Sequence, residues 1–341
     1  MTTEIFFSTN PIGHVTDEQL QTMLDRHHLG NLISAEKTSK GVGNQTLFIN
    51  SSKGSYVLKG NPLYAGQFAE EKFYTDYLQK YTSLPLSAPY LLDESSDIFG
   101  WSYAIMPRLH GVHMNDPQCR ASLGAADRMD IASSAANILN EMHGWTVNQY
   151  GELDPQTLKI RPFEGSYKEW LYNRIRFWLQ DAKQYSQITR ADTEWVEEVL
   201  RASADEFDKH CSPTFVMGDF KAENMLVAYD TVRQAWRISG IFDFTTVYFG
   251  DGAADLPKMV IMYWDFEEQE AARHFVQMYL QGSANKEGFV DRFRVHMLHQ
   301  RILDWGCAKA IGAVTWDPQL AFSEWAKDYV YAMDYLRSWI A

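Results

Sequence analysis

The stretch from residue 214 to 256 constrains the fold more than any other part of the sequence. Strand-like apolar runs alternate there with polar positions, and long helical patterns stand on both sides of it. Asp219 and Asn224 form the pattern D-x-x-x-x-N, Asp243 ends the strand-like run I-F-D-F, and a G-D-x-x-x-D pattern follows. This arrangement predicts a hairpin embedded in a helical region, with oxygen side chains collected on its loops.

The chain divides into a short strand-rich part and a longer helical part. The predicted elements of the first part are strands at 47–50, 55–59 and 101–106 and a helix at 65–80. Helical patterns in the second part lie at 125–143, 167–184, 192–210, 253–281, 286–310 and 318–340, with a β-rich interlude at 215–244. We therefore expect an α+β chain with a small N-terminal lobe at 1–106, a linker at 107–116 and a large helical lobe at 117–341.

Composition and charge exclude several classes of protein. The formal net charge is −13 and no basic stripe is visible, so we expect no nucleic-acid partner. No apolar run is long enough to span a membrane, and residues 1–10 lack the pattern of a signal peptide, so we expect neither a membrane partner nor secretion. The three cysteines, Cys119, Cys211 and Cys307, have no metal-binding or disulfide spacing, which fits a cytoplasmic protein.

The polar positions match the needs of phosphoryl transfer. That reaction needs a carboxylate to orient and deprotonate a hydroxyl, and hard oxygen ligands for Mg²⁺. Asp219 and Asn224, five residues apart on one loop, supply one of each, and Asp243 brings a second carboxylate from the end of a strand. A lone D-x-x-x-x-N is weak evidence, because exposed Asp and Asn in loops are usually solvated or cap turns. The combination of Asp219, Asn224 and Asp243, in this order along the chain, is stronger evidence for phosphoryl transfer than any one motif alone.

The segment resembles the aminoglycoside phosphotransferase and choline kinase group, which are distant relatives of protein kinases. The matching motifs are M-G-D-F-K-A-E-N, I-F-D-F and G-D-G-A-A-D-L, and weaker matches extend the resemblance over about residues 37–256. The resemblance implies a two-lobed, protein-kinase-like fold. It also implies an enzyme that transfers phosphate from ATP or GTP, with Mg²⁺, to a hydroxyl of a small molecule.

The resemblance implies a role for each residue of these motifs. Asp219 would be the catalytic base, and Asn224 and Asp243 would hold Mg²⁺. Lys221 stands where protein kinases carry a lysine, and it could neutralise the γ-phosphate. Asp255, the last acid of G-D-x-x-x-D, would have the structural duty of tying the catalytic loop to the helix behind it.

The N-terminal part would hold the nucleotide. Gly41 and Gly43 fit a loop over the phosphates, although a glycine-containing hairpin turn is the commoner meaning of such a pattern taken alone. Lys59 would contact the α- and β-phosphates, held by a helix glutamate about a dozen residues later, for which Glu71 is favoured over Glu70.

A hinge for adenine is expected at the end of the strand at 101–106. Met106 would line the back of the pocket, the carbonyl of Pro107 would accept from the adenine amino group, and the N–H of Leu109 would donate to the ring. The alternative is a strand that simply stops at proline.

Three departures from the family pattern stand out. Met217 replaces the usual His, and Gly252 replaces the usual Pro, which a turn should tolerate. The interval between Asn224 and Asp243 is longer than usual, and we expect an extended hairpin tip at 229–235. His143, at a helix end, echoes a histidine of the family and is interpreted as structural.

The acceptor is expected to be a cationic, aminoglycoside-like molecule, which would make the chain an antibiotic-resistance enzyme. The candidate acceptor contacts are Trp264, Asp265, Asp304, Trp305 and Glu324, since carboxylates bind ammonium groups and indole faces bind cations. Other acceptors are choline, a sugar, an amino alcohol or a macrolide. A catalytically inactive kinase-like binding module is the alternative of another class. A protein kinase is disfavoured because no A-P-E motif follows Asp243.

Overall fold

The N-terminal part of the protein is a five-stranded antiparallel sheet with strand order β1-β2-β3-β5-β4. The structure is a computed structural model, and it describes residues 11–38, 45–209 and 212–336. The strands are β1 Leu32–Lys37, β2 Thr46–Ser51, β3 Gly54–Gly60, β4 Leu91–Asp93 and β5 Tyr103–Pro107. Two helices accompany the sheet: α1 Asp17–Arg26 and α2 Gln67–Tyr81.

Helix α1 is the main N-terminal element that we did not predict. Thr16 and Gln19 form a capping box at its start, a signal that the sequence does contain. Leu20, Met23 and Leu24 are buried in a core cluster shared with the sheet. The expectation of one helix among short strands was therefore wrong, and α1 covers one side of the small core.

Helix α2 links the two parts of the chain. Phe68 packs with residues of the N-terminal sheet, whereas Tyr74 and Leu78 belong to the large C-terminal core. A helix of the small lobe thus carries one buried face into the large lobe, which limits how far the two can separate. The lobe boundaries at 106 and 117 stay a prediction.

The C-terminal part is mostly helical and holds two small sheets, with strand orders β11-β10-β6 and β8-β7-β12-β9. Its strands are β6 Val112–His113, β7 Gly151–Asp154, β8 Lys159–Pro162, β9 Thr214–Val216, β10 Met225–Asp230, β11 Ala235–Ile241 and β12 Tyr248–Gly250. Its helices are α3 Pro117–Ser122, α4 Ala125–His143, α5 Tyr167–Ala182, α6 Arg190–Ala202, α7 Ala204–Asp208, α8 Pro257–Asp265, α9 Gln269–Gly282, α10 Phe289–Ile311, α11 Phe322–Val330 and α12 Ala332–Leu336. Within these described ranges, no helix has the length and apolarity needed to cross a bilayer.

Two helical predictions were too long. The run at 253–281 is a 3₁₀ turn, Gly252–Asp255, followed by α8 and α9, and the chain breaks between these helices where Glu267 has φ of +57°. The run at 192–210 divides into α6 and α7. Apolar periodicity continued across both breaks, so it could not show where the chain changes direction.

The hairpin of β7 and β8 is a further correction, because we predicted only helices between residues 117 and 214. Its partner strand is β12, which pairs with Gly151 from almost a hundred residues away in the sequence. The predicted hairpin tip is present, with Asp230 accepting from the backbone N–H groups of Val232 and Arg233.

Gly252 is needed by the packing of the turn that leads into α8. A Cβ at this position would lie 2.6 Å from Nδ1 of His143 and 3.0 Å from the hydroxyl of Tyr279. His143 is held there by Asp255 and Tyr279. The glycine is therefore a steric requirement of the buried histidine, in agreement with the expectation that the turn tolerates glycine in place of the usual proline.

We expect Gly252→Ala to lower the free energy of unfolding by about 1–3 kcal/mol, because the added methyl group must displace the buried ring of His143. Urea denaturation measures this change in the free energy of unfolding. Gly306→Ala is the matched control: its Cβ would sit 3.5 Å from that of Ala182, within α10, and should raise the free energy of unfolding by about 0.5–1 kcal/mol. Equal effects of the two variants would contradict the steric argument.

Candidate active site

The loop after β9 is shaped by a glycine and by a buried aromatic residue. Gly218 has φ of +73°, and a Cβ there would lie 2.4 Å from the carbonyl oxygen of Thr246. Phe220 is buried and anchors the loop to the large core. The loop therefore turns sharply before Asp219, and only glycine fits the turn.

Asn224 returns to Asp219 at the end of this loop. A 3₁₀ turn, Ala222–Asn224, places the Asn224 amide so that Nδ2 donates to the Asp219 carbonyl oxygen at 3.0 Å and to its Oδ2 at 2.9 Å. The amide oxygen Oδ1 accepts none of the hydrogen bonds found in the described part of the chain. The D-x-x-x-x-N spacing is thus a closed loop in which the two side chains touch.

Asp255 ties the loop to the helical part, as the resemblance implies. Its two carboxylate oxygens accept from the backbone N–H groups of Met217 and Gly218, both at 2.7 Å. His143 contacts the same carboxylate at 3.1 Å through Nε2 and the hydroxyl of Tyr279 at 3.1 Å through Nδ1. The histidine is satisfied and structural, as we interpreted it.

Asp243 lies beside Asn224 because of one backbone bond. The N–H of Phe242 donates to the carbonyl oxygen of Asn224 at 3.2 Å, just past the end of β11. Asp243 itself has φ of +73°, and the hydroxyl of Thr245 donates to its Oδ1 at 3.0 Å. A left-handed aspartate costs backbone energy, and such strain concentrates at functional sites.

Lys59 joins the N-terminal sheet to this loop region. Its Nζ lies 2.7 Å from Oε2 of Glu71 and 3.8 Å from Oδ1 of Asp243. Burial would lower the pKa of Lys59, but these two carboxylates outweigh it and the pKa is raised. Lys59 is therefore a cation at neutral pH, aimed between the two lobes.

The ion pair forms with Glu71 and not with its rival Glu70. Glu71 also accepts from the Tyr90 hydroxyl at 3.0 Å and from Gln67 at 3.0 Å. Glu70 accepts instead from the hydroxyls of Tyr64 and Tyr74, and burial raises its pKa to about 7. The choice of Glu71 is thus the one that the structure shows, although the nucleotide role of the pair stays a prediction.

The carboxylate of Asp219 contacts two lysines. Lys221 lies 2.8 Å from Oδ2, and the ammonium of Lys258 contacts Oδ1. Burial alone would raise the pKa of Asp219, but the two ammonium groups hold it well below its usual range. Glu223, the other carboxylate of the loop, turns away and accepts from Asn115 at 2.9 Å.

Lys258 is the site residue that sequence reasoning missed. It lies in the first turn of α8, where the positive end of the helix dipole disfavours a cation. It also follows Asp255 by three residues, the spacing of neighbours on one helical face. An unfavourably placed lysine next to an acidic motif is a signal that could have indicated a carboxylate partner.

The donor set of Asn224 and Asp243 fits a magnesium ion. The Asn224 amide oxygen and the partly exposed Asp243 carboxylate are hard oxygen ligands, and Mg²⁺ usually combines one or two such groups with substrate phosphates and water. No cluster of three or more His, Cys, Asp or Glu suited to a metal occurs among the residues described, so these two side chains supply only part of a coordination shell.

The predicted hinge lies at the end of β5. Met106 is buried, and the carbonyl oxygen of Pro107 accepts from the hydroxyl of Ser87. A carbonyl has a second lone pair, so this bond leaves one acceptor position. Leu109 packs against Gly240 of β11, where a Cβ would lie 2.8 Å from its Cδ1. Gly41 and Gly43 lie outside the described residues.

The candidate acceptor contacts are already engaged within the chain. Asp265 accepts from the Tyr329 hydroxyl at 2.6 Å, Asp304 is bound by Arg301, and Glu324 caps the start of α11 at Ala321. Trp305 is 2% exposed, and Trp264 packs near Tyr335. The structure therefore brings none of the five together as an open cation site among the residues described.

Comparisons with known proteins agree with the fold. The solved structures that resemble the chain include a thermostable mutant of aminoglycoside phosphotransferase APH(4)-Ia in a ternary complex with AMP-PNP and hygromycin B. It is 17% identical, with a TM-score of 0.58 over 94% of this chain and 98% of that chain. Another is a mutant aminoglycoside 2'-phosphotransferase-IIIa in complex with GDP, 11% identical, with a TM-score of 0.62 over 95% and 98%. No curated protein matches the chain.

The predicted α+β, two-lobed, protein-kinase-like fold is thereby confirmed. A sequence model described as "Phosphotransferase enzyme family" matches residues 34–292, which is most of the chain. The chain belongs to the phosphotransferase enzyme family.

Proposed function

We propose that the protein transfers the γ-phosphoryl group of ATP or GTP to a hydroxyl of a small molecule. The observation that carries this proposal is the convergence of four side chains from both lobes. Lys59 reaches Asp243 at 3.8 Å, Asp243 adjoins Asn224 through the Phe242 backbone bond, and Asn224 bonds Asp219. Lys59 would supply a cation for the nucleotide phosphates, and Asp243 and Asn224 would supply oxygen ligands for the metal. The carboxylate of Asp219, at the far end of this series, would bind the acceptor.

The nucleotide would lie between the N-terminal sheet and the loop region. Lys59, held by Glu71, would contact the α- and β-phosphates, and the hinge at Met106, Pro107 and Leu109 would hold the base. Asn224 and Asp243 would hold Mg²⁺, which when bound neutralises charge on the β- and γ-phosphates. The phosphate loop would include Gly41 and Gly43.

Asp219 would face the acceptor. The acceptor hydroxyl gives its proton to the carboxylate while its oxygen forms a bond to the γ-phosphorus, and the bond to the β-phosphate oxygen breaks to release the nucleoside diphosphate. Because its pKa is lowered, the Asp219 carboxylate is a weak base. It would mainly orient the hydroxyl and would accept the proton only late in the reaction, which suits a loose transition state. Lys221, 2.8 Å from Oδ2, would lie on the side of the transferred group.

The acceptor that the resemblance implies is a cationic, aminoglycoside-like molecule, which would place the enzyme in antibiotic resistance. A metabolic alcohol such as choline, a sugar, an amino alcohol or a macrolide is the second candidate. An inactive binding module is disfavoured because Lys59, Asp219, Asn224 and Asp243 are all present, with Lys59 near Asp243 and Asn224 bonded to Asp219. Two free cysteines, Cys119 and Cys307, support a reducing location such as the cytoplasm.

The function is tested by a nucleotide-consumption screen. ATP and GTP are offered in turn with Mg²⁺ and with aminoglycosides, choline-like alcohols, sugars and macrolides, and the phosphorylated product is identified by mass spectrometry. Nucleotide consumption that depends on one acceptor class supports the proposal and names the class. A folded protein that binds neither nucleotide in the presence of Mg²⁺ would refute it.

We expect Asp219→Asn to lower kcat by about 10²-fold or more, in the range typical of a lost general base, with little change in nucleotide affinity. The control is Glu223→Gln, since Glu223 is on the same loop but bonds Asn115. Turnover, Mg·ATP affinity and melting temperature are measured in parallel. A folded Asp219→Asn enzyme with near wild-type turnover would show that Asp219 only shapes the loop.

We expect Asp243→Asn to weaken nucleotide binding about tenfold or more when Mg²⁺ is present, because a neutral amide is a poorer ligand for a hard cation. Calorimetric titration with ATP, in Mg²⁺ and again in EDTA, separates the metal-dependent part. Asp205→Asn, an exposed substitution on α7, is the control and should bind as the wild type does. Unchanged Mg·ATP affinity in Asp243→Asn contradicts the metal assignment.

A further inference from the structure

The placement of Lys258 bears on which acceptors the site can take. Its side chain is 26% exposed, and its ammonium contacts Oδ1 of Asp219. The other oxygen, Oδ2, is occupied by Lys221 at 2.8 Å and by Nδ2 of Asn224 at 2.9 Å. Oδ1 is therefore the oxygen left for an incoming hydroxyl, and that hydroxyl must share it with Lys258.

Sharing is sterically reasonable, because one carboxylate oxygen can accept two hydrogen bonds. The consequence is that the ammonium of Lys258 lies beside the reacting hydroxyl, on the same carboxylate oxygen. Helix α8 does not need this lysine, since a cation in the first turn opposes the helix dipole. The ion pair with Asp219 offsets that cost, so the side chain is held at the acceptor side of the base.

The carboxylates near Lys258 have hydrogen-bond partners within the chain. The carboxylates whose fields act on it are Asp219, Asp304 and Asp255. Asp304 is bound by Arg301 and by Gln300, and Asp255 accepts from two backbone N–H groups. The two acids other than Asp219 are thus committed to internal partners.

Helix α5 adds a cation to this region, and helix α10 adds a buried histidine. Arg174 of α5 and Lys258 both act on the ring of His299, on α10, whose pKa burial holds well below its usual range. Nε2 of His299 is buried and has no hydrogen-bond partner among the residues described. A neutral imidazole and two cations suit an uncharged or anionic polar group better than an ammonium.

We propose that Lys258 is a specificity-determining residue that selects acceptors whose reacting hydroxyl is flanked by an anionic or neutral group and rejects those with an adjacent ammonium. The inference rests on the proposed function, because it requires Asp219 to face the acceptor hydroxyl. A cationic acceptor of the aminoglycoside type is compatible with it only where the ammonium groups lie away from the reacting hydroxyl.

The test compares three sugars of one ring size: glucuronate, glucose and glucosamine, which are anionic, neutral and cationic. Ligand-observed NMR measures their dissociation constants from the protein with Mg²⁺ and a non-hydrolysable ATP analogue. We expect glucuronate to bind on the order of tenfold more tightly than glucosamine, the size of effect that one partly screened charge produces. If no sugar binds measurably, acetate and methylammonium serve as the anionic and cationic probes in the same experiment.

Three variants assign the preference to Lys258. Lys258→Met should abolish most of the anion preference, Lys258→Arg should keep it, and Lys209→Met, at a surface lysine paired with Glu206 and Glu287, should leave it unchanged. Melting temperatures show that each variant is folded. Equal or tighter binding of the cationic probe by the wild type, or an unchanged preference in a folded Lys258→Met protein, overturns the proposal.

Failure of the proposed kinase function has a different signature. It would appear as loss of Mg²⁺-dependent nucleotide binding, which is measured without any acceptor, and as no acceptor-dependent nucleotide consumption in the screen described above. An enzyme that binds Mg·ATP and turns it over, yet shows no charge preference, would disprove the role of Lys258 and leave the phosphotransferase assignment standing.

Discussion

The buried carboxylate of Asp255 is the interaction on which the geometry of the site depends. It accepts from two consecutive backbone N–H groups, at Met217 and Gly218, and so fixes the point where the loop leaves β9. Two buried N–H groups without a partner would each cost about 1–3 kcal/mol, so the loop has a strong reason to keep this position. The positions of the following residues, from Asp219 to Asn224, depend on that fixed point.

The position of Asp255 is in turn held by His143. His143 bonds Asp255 and Tyr279, and Gly252 leaves room for its ring. A carboxylate, an imidazole and a phenol thereby connect α4, α9 and the turn before α8 in one polar network inside the large core. Because every member is hydrogen-bonded, the network orders the site and does not leave buried polar groups unsatisfied.

Charge organises the two sides of the loop differently. Beside the N-terminal sheet, Lys59 is paired with Glu71 and lies 3.8 Å from Asp243, so two carboxylates compensate its charge. At the other end of the loop region, the one carboxylate of Asp219 contacts two ammonium groups, those of Lys221 and Lys258. In a chain of net charge −13, ammonium groups therefore outnumber the carboxylate at Asp219, and the overall net charge does not predict the local charge.

The sequence by itself determined the elements whose signals are local. The D-x-x-x-x-N loop, the strand before Asp243 and the helix that supplies Glu71 were predictable, because spacing along a loop, strand or helix decides which side chains can meet. The resemblance carried by those motifs then led to the fold, which the comparisons confirmed.

Only the tertiary structure decided what depends on distant segments. The β7–β8 hairpin needs β12 as a partner, Pro107 bonds Ser87, and Lys258 meets Asp219 across 39 positions of sequence. The same is true of the carboxylates expected to bind a cationic acceptor: Asp265 and Asp304 bond side chains of the chain itself, and Glu324 bonds a backbone N–H group. Sequence patterns show which groups are present, but packing decides which of them are already satisfied and which are left to bind a ligand.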